Sequence, residues 1–139
     1  MTPMKVSIST DKGKMDIGLI HEYLSKQSYW AKGRSYDLVE KSMANSLCFG
    51  AFDENDKQIG FARIATDYVV FAWLMDVFVV DDCKGKGIGK QLLQAILEHP
   101  NLTPVNGIGL RTEDAHDFYA SFGFEEIPKP NTWMLKTKS

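Results

Sequence analysis

The stretch "VVDDCKGKGIGKQLL", residues 79–93, places three glycines and three lysines between an apolar run and an amphipathic run. The apolar residues before it are typical of a buried strand, and the spaced apolar residues from Ile88 to Ile96 are typical of a helix that packs one face on a sheet. A strand, a glycine-rich turn and a helix start together expose backbone N–H groups at the positive end of the helix dipole. The stretch therefore predicts an anion site, most simply for a phosphate or pyrophosphate.

Seven residues, from Lys84 to Lys90, form this predicted anion site. The glycines lack the Cβ atoms that would keep a ligand's oxygens away from the amides, and the lysines add counter-charge. The alternative is a tight strand-to-helix turn whose lysines are simply solvated. The alternating glycines favour the anion site, whose members are Lys84, Gly85, Lys86, Gly87, Ile88, Gly89 and Lys90.

Two well-known nucleotide-binding loops do not match these residues. In a Walker loop the glycines are one residue further apart than Gly85 and Gly89, and a Ser or Thr stands at the position of Gln91. The Rossmann fingerprint requires a third glycine where Lys90 stands, and it follows the first strand of a βαβ unit. The loop is therefore of a different kind.

Composition and charge restrict the class of protein. A chain of 139 residues, with 44% hydrophobic and 24% charged residues, predicts one globular domain spanning residues 1–139. The formal net charge of -2 argues against a large nucleic-acid surface. The apolar run from Val69 to Val80 is too short for a bilayer, and no apolar secretory signal is visible, so we expect a cytoplasmic protein. The two cysteines and three histidines lack metal-ligand spacing, so no metal is expected.

Hydrophobic periodicity on both sides of the glycine loop predicts an α/β fold. Alternation of strands and helices around a central hairpin implies a mixed sheet covered by helices on both faces. The predicted elements are a strand in residues 5–10, a helix in 15–26, a helix capped by Ser35, a hairpin of 47–52 and 58–66, a long strand in 68–80, the helix after the glycine loop, a strand in 105–110, a helix in 112–122 and two terminal strand pieces in 124–136.

Two segments of the chain resemble the GNAT superfamily of N-acetyltransferases. "DVFVVDDCKGKGIGKQLL", residues 76–93, is similar to its acetyl-CoA-binding segment, [QR]-x-x-G-x-[GA]: Gly87 and Gly89 match, and Lys84 occupies the Gln or Arg position. "DAHDFYASFGF", residues 114–124, is similar to a later helix of the superfamily. Together they imply the GNAT fold, a mixed, mostly antiparallel central sheet flanked by helices on both faces.

The resemblance implies acetyl-CoA as cosubstrate and no metal. The amides of residues 84–90 would hold the pyrophosphate. The backbone of Val77, Phe78 and Val79 would pair with the pantetheine arm as if it were a strand, where family members often have a bulge. Thr112 stands where many members have Asn, so contacts of that Asn cannot be carried over.

Acetyl transfer to an amine requires a neutral amine, a stabilised oxyanion and a departing thiolate. Asp76 is a candidate base, because it is the only charge in the apolar run and matches the position where some GNAT enzymes place a glutamate. It can equally be a buried structural acceptor, tied to backbone amides, Arg63 or Arg111. Tyr119 matches the tyrosine that acts as general acid in many members; the alternative is a packing residue with a hydrogen-bonded tip.

The segment between the first two helices, "SYWAKGRSY", is where the superfamily often binds the acceptor. Its aromatic and basic residues Tyr29, Trp30 and Arg34 are candidate substrate contacts, although a surface loop explains them equally well. The expected function is transfer of an acetyl group from acetyl-CoA to a small-molecule or peptide amine by direct attack in a ternary complex. The alternative is a non-catalytic acyl-CoA-binding module. No nucleic-acid or membrane partner is expected, and the analogy allows a homodimer.

Overall fold

The computed structural model describes residues 4–138, which form a mixed sheet with helices on both faces. The strands are β1 (Ser7–Ser9), β2 (Leu47–Phe52), β3 (Gln58–Thr66), β4 (Ala72–Val79) and β5 (Gly109–Leu110). The α-helices are α1 (Ile17–Glu22), α2 (Tyr36–Ala44), α3 (Ile88–Glu98) and α4 (His116–Ala120). A π-helical turn, Tyr23–Gln27, continues α1.

The strands lie in the order β1-β2-β3-β4-β5. The first three pairings are antiparallel, and β4 pairs with β5 in parallel. That parallel pairing is short, because it joins only Trp73 to Gly109 and Leu74 to Leu110. The prediction of a mixed, mostly antiparallel sheet is confirmed.

Two apolar cores lie on opposite faces of the sheet. On one face the stripe of α3 packs on the sheet through Ile88, Leu92, Leu93 and Ile96, with side chains of α4 against the same core. On the other face α1, the π-helical turn and α2 cover Cys48, Phe52, Phe61 and Phe78. Because successive residues of a strand point to opposite faces, a strand covered on both sides is apolar at nearly every position.

A bulge interrupts this alternation in the middle of β4. Phe61 pairs with Phe78 and Arg63 pairs with Met75, so β4 contains one residue more than β3 in this interval. Asp76 has a φ of 57°, in the left-handed region that costs an L-residue roughly 1–2 kcal/mol. As a result, Met75 and Asp76 both contact the guanidinium of Arg63 instead of pointing to opposite faces.

The prediction of two terminal strands is wrong for the residues that the structure describes. Residues 124–136 contain only a short 3₁₀ turn, Pro130–Thr132. Pro128 and Pro130 lack the N–H group that a ladder needs, and the two residues of β5 give a further strand little to pair with.

β1 and β4 are slightly shorter than the strands predicted in 5–10 and 68–80, and two later elements are much shorter. The predicted strand in 105–110 is reduced to β5, after turns that extend to residue 106. The predicted helix in 112–122 begins only at His116, because the Thr112 hydroxyl accepts hydrogen bonds from the N–H groups of Asp114 and Ala115 and forms a turn there. Within residues 4–138 no helix combines the length and apolarity needed to cross a bilayer.

The thiol of Cys48 provides a test of the core under α2. Burial raises its pKa from 9.0 to about 11, so the folded state favours the protonated thiol. This contribution to stability is present below pH 9 and is lost as the pH rises toward 11; it amounts to about 2–3 kcal/mol. We expect the urea midpoint of the wild type to fall more steeply between pH 9 and 11 than that of Cys48→Ala. Parallel pH profiles would contradict the burial.

Candidate active site

β4 and β5 separate immediately after their short pairing. Beyond Leu74 and Leu110 the two strands share no ladder, whereas β4 stays paired with β3 as far as Val79. The edge of β4 from Met75 to Val79 that faces away from β3 therefore has no strand partner among residues 4–138. Its backbone groups are available to an extended ligand, as at any sheet edge.

A cavity of about 530 Å³ lies in the opening between the two strands. Residues 73–77 of β4 form one wall, residues 110–115 form another, and Tyr119 of α4 also borders it. Tyr29, Trp30 and Arg34 of the loop between α1 and α2 complete the lining. We call residues 29–34 the 29–34 loop.

The carboxylate of Asp76 fastens this loop to β4. Trp30 Nε1 donates to Asp76 Oδ1 at 2.9 Å, and Arg34 Nη1 donates to Oδ2 at 2.8 Å. Arg63 Nε donates to the same Oδ2 at 2.9 Å. Although Asp76 borders the cavity, its side chain is only 1% exposed. A carboxylate so enclosed, with three donors already bound, is poorly placed to take a proton from a ligand.

Arg63, the second cation on Asp76, has one contact at each guanidinium nitrogen. Its Nη1 donates to the Ser46 hydroxyl at 3.0 Å, and Nη2 lies 3.6 Å from Met75 Sδ. Its side chain is 11% exposed, so the Arg63–Asp76 pair is largely removed from water. Removing one partner would leave the other charge unpaired at high cost.

The 29–34 loop is also fastened on the far side of the opening. The backbone N–H of Glu113, between β5 and α4, donates to the Tyr29 hydroxyl at 2.9 Å. The Tyr29 and Trp30 rings meet edge to face, with centroids 5.0 Å apart. The loop therefore spans from β4 to the β5–α4 connection and covers the cavity between them.

Tyr119 enters the cavity from α4. Its ring packs edge to face on Phe118 and Phe124. Burial, with smaller contributions from Tyr29 and the charge of Asp114, raises the pKa of the phenol to about 12. The hydroxyl therefore stays protonated at neutral pH and can donate a hydrogen bond into the cavity.

The glycine-rich loop lies at the other end of the open β4 edge. Gly85 and Gly87 have φ values of 79° and 81°, and Gly87 is the N-cap of α3. Within residues 4–138, the backbone N–H groups from Gly85 to Lys90 have no protein acceptor. Alternating left-handed residues before a helix start turn such amides toward one concavity, which suits an anion.

Two residues of this loop have roles that the sequence did not indicate. Lys84 Nζ forms an ion pair with Asp81 at 2.9 Å and lies 5.9 Å from the centre of the Tyr23 ring, and these hydrogen-bonding partners raise its pKa. At Gly89 a Cβ would come within 3.3 Å of the Phe118 ring, so this glycine allows α4 to pack closely on α3.

Comparisons with known proteins agree with this geometry. A family model described as an acetyltransferase (GNAT) domain matches residues 44–126. The chain belongs to the GNAT family. A protein of Gibberella zeae named as an acetyltransferase is 26% identical over 86% of this chain and 78% of its own length.

Solved structures support the same fold. A crystal structure of a GNAT-family protein of Xanthomonas campestris pv. campestris has a TM-score of 0.94 and 40% sequence identity, over 99% of this chain and 96% of that one. Rv2747 of Mycobacterium tuberculosis, solved in complex with CoA, has a TM-score of 0.72 at 16% identity, over 87% of this chain and 72% of that one. At the latter identity the likeness concerns the fold alone.

The predicted site residues of this GNAT-family chain fall into three groups. One group borders the cavity: Tyr29, Trp30, Arg34, Asp76, Val77 and Tyr119. A second, Lys84 to Lys90, forms the amide loop at the start of α3. Phe78 and Val79 lie on the strand between them, where the Phe78 side chain is buried and stacks on Tyr23 at 4.2 Å. Only the backbone of Phe78 is therefore available to a ligand.

Nine residues that border the cavity were not predicted as site residues, and four of them have charged or indole side chains: Trp73, Arg111, Glu113 and Asp114. The helix predicted in 112–122 would place the two acids, Glu113 and Asp114, in its first turn. Their position directly after a predicted strand could have identified them as site residues, because loops that follow strands often carry functional side chains.

The ion pair at the bulge provides a second test. Asp76→Asn leaves the Arg63 guanidinium without a charged partner and releases the 29–34 loop, so we expect unfolding to become easier by about 3–5 kcal/mol. Hydrogen exchange of residues 29–34 should also accelerate. Asp37→Asn, which changes an exposed acid in the first turn of α2, should cost less than about 1 kcal/mol. Equal stabilities for the two variants would contradict the role assigned to Asp76.

Proposed function

We propose that this protein is an N-acetyltransferase that moves an acetyl group from acetyl-CoA to a primary amine by direct attack in a ternary complex. The observation that carries the proposal is the unpaired β4 edge, which runs from the amide loop of α3 to the cavity under the 29–34 loop. A long, phosphorylated thioester fits this arrangement: its phosphates would lie at the amide loop, its extended arm along the β4 edge and its thioester in the cavity. The fold of Rv2747, solved with CoA, supports the same proposal.

The residues fit such a cosubstrate at both ends. The amides of Gly85 to Lys90 would hold its pyrophosphate, and Lys86 and Lys90, both exposed, would add positive charge. The backbone of Val77, Phe78 and Val79 would hydrogen-bond the pantetheine arm as a further strand does. Bound acetyl-CoA supplies the activated acetyl thioester.

The amine must lose a proton to react, since an alkylamine with a pKa of about 10.4 is almost fully charged at pH 7. Asp76 was the candidate base, but its three donors favour the structural alternative. We assign proton acceptance to Asp114 instead, because it borders the cavity and its charge is felt by the Tyr119 phenol. Asp76 then acts as a positioning residue that holds the 29–34 loop over the acceptor.

Tyr119 supplies a hydrogen bond to the departing sulfur in this proposal. A thiol has a pKa near 8.5, several units below that of this buried phenol. Complete proton transfer from Tyr119 to the thiolate is therefore uphill, whereas a hydrogen bond that stabilises the thiolate is not. A backbone N–H of β4, which we assign to Val79, would meet the carbonyl oxygen.

The amide loop is tested by Gly87→Val. A β-branched side chain at a φ of 81° is strained, and its methyl groups would enter the concavity, so CoA affinity should fall at least a hundredfold by calorimetry. Gly123→Val is the matched control, because Gly123 also has a positive φ, 93°, and lies outside the loop. The control should bind CoA as the wild type does. Unchanged affinity in Gly87→Val would refute the pyrophosphate site.

The phenol is tested by Tyr119→Phe. Turnover should fall more than tenfold in a thiol-release assay, while CoA affinity stays nearly unchanged, because the lost hydrogen bond acts on the reacting sulfur. Tyr68→Phe, at an exposed position before β4, should keep wild-type turnover. Full turnover in Tyr119→Phe would remove Tyr119 from the mechanism. Tight CoA binding by the wild type without thiol release on any amine would favour the non-catalytic module.

A further inference from the structure

The cavity carries opposite charges on opposite walls. Arg34 lies on the wall formed by the 29–34 loop, and Glu113 and Asp114 lie on the wall between β5 and α4. Arg111, also on the β5 side, is the other cation of the lining. A ligand that fills this space therefore meets a basic group on one side and two acids, with one further base, on the other.

The wall at Arg34 has an excess of positive charge. Asp76 accepts from both Arg34 and Arg63, so one carboxylate is shared by two guanidinium groups. Arg63 is enclosed, and its other two nitrogens contact Ser46 and Met75. The Arg34 side chain is 24% exposed, and within residues 4–138 only its Nη1 has a hydrogen-bond acceptor. Its remaining N–H groups can therefore bind an anionic group of a ligand.

The opposite wall suits a cation. Asp114 and Tyr119 both border the cavity, and the charge of Asp114 contributes to the raised pKa of the Tyr119 phenol. The backbone of Glu113, the preceding residue, is held beside the 29–34 loop by the hydrogen bond from its N–H to the Tyr29 hydroxyl. A protonated amine is attracted to this pair of acids, beside the residue proposed to meet the sulfur.

Aromatic rings form a further part of the lining. Tyr29 and Trp30 contribute rings from the loop, and Trp73 contributes one from β4. A volume of about 530 Å³, part of which would hold the acetyl end of the cosubstrate, leaves space for a small molecule. An aromatic or flat apolar group packs well on such rings.

We propose that the acceptor is a free amino acid with an aromatic side chain, whose carboxylate binds Arg34 and whose amine lies at Asp114 and Tyr119. This inference rests on the proposed acetyltransferase function. The amine gives up one proton to Asp114, its nitrogen forms a bond to the acetyl carbon, and the carbon–sulfur bond breaks. The nitrogen loses its second proton as the amide forms, and the thiolate takes up that proton, so the products are an N-acetylamino acid and free CoA.

Paired acceptors that differ only in the carboxylate test the inference. L-Phenylalanine should give a kcat/KM at least tenfold above that of 2-phenylethylamine, and L-tryptophan should exceed tryptamine similarly, because the decarboxylated amines leave Arg34 unpaired. Equal or better use of the decarboxylated amines would overturn the inference while leaving the acetyltransferase intact. Preferred use of polyamines or of peptide amines would overturn it as well.

Substitution of Arg34 separates ligand binding from a purely structural role. Arg34→Gln should reduce the ratio of kcat/KM for phenylalanine over 2-phenylethylamine to near one, whereas loss of the loop's position alone would lower both values and keep the ratio. Lys57→Gln removes a cation at the β2–β3 turn, outside the cavity, and should keep the wild-type ratio. A wild-type ratio in Arg34→Gln would show that Arg34 does not bind the carboxylate.

Product binding makes the inference testable apart from turnover. In the presence of CoA, N-acetyl-L-phenylalanine should bind at least tenfold more tightly than N-acetyl-2-phenylethylamine by calorimetry. If no amine releases thiol, the proposed activity fails, and this comparison alone decides whether the cavity recognises the carboxylate. Equal affinities would overturn the inference.

Discussion

The candidate active site depends on one buried carboxylate in the middle of β4. Asp76 occupies a bulge with a left-handed backbone and accepts hydrogen bonds from two arginines and an indole. The backbone conformation is unfavourable for a non-glycine residue, so these charge-assisted bonds must offset its cost. In a regular strand, successive side chains point to opposite faces of the sheet. The bulge and the three hydrogen bonds together hold the Asp76 carboxylate on the same face as Arg63.

The same bulge links the fold to the opening of the sheet. An extra residue bends the strand and increases its local twist, and β4 leaves its parallel partner directly before Met75. Among the residues described, 4–138, the edge beyond that point has no strand partner, and the loop bound to Asp76 extends across the gap to Glu113. The bulge at Asp76 therefore lies where the free β4 edge, the cavity and the 29–34 loop meet.

Local patterns in the sequence predicted most of the framework. The apolar stripe of α3, the Ser35 cap and the strand-forming runs of β2 and β3 each act over a few residues, so they are readable without a structure. The terminal strands failed because pairing depends on a partner edge that β5 is too short to provide. Gly89 was assigned to the ligand because its neighbour Phe118, on another helix, cannot be inferred from the loop.

The charge of the cavity shows why site chemistry is harder to predict than site location. The sequence indicated that the 29–34 loop and Asp76 could matter, but the consequence depends on which arginines share that carboxylate. With a net charge of -2, the chain as a whole is slightly acidic, yet two guanidinium groups on one acid leave a positive wall beside the cavity. In a partly desolvated site such a local imbalance has a stronger effect on a ligand than the charge of the whole protein, because solvent screens the distant groups. In the proposed complex, selectivity for the acceptor would therefore depend on the same pairing that fixes the bulge, because Arg34 takes part in both.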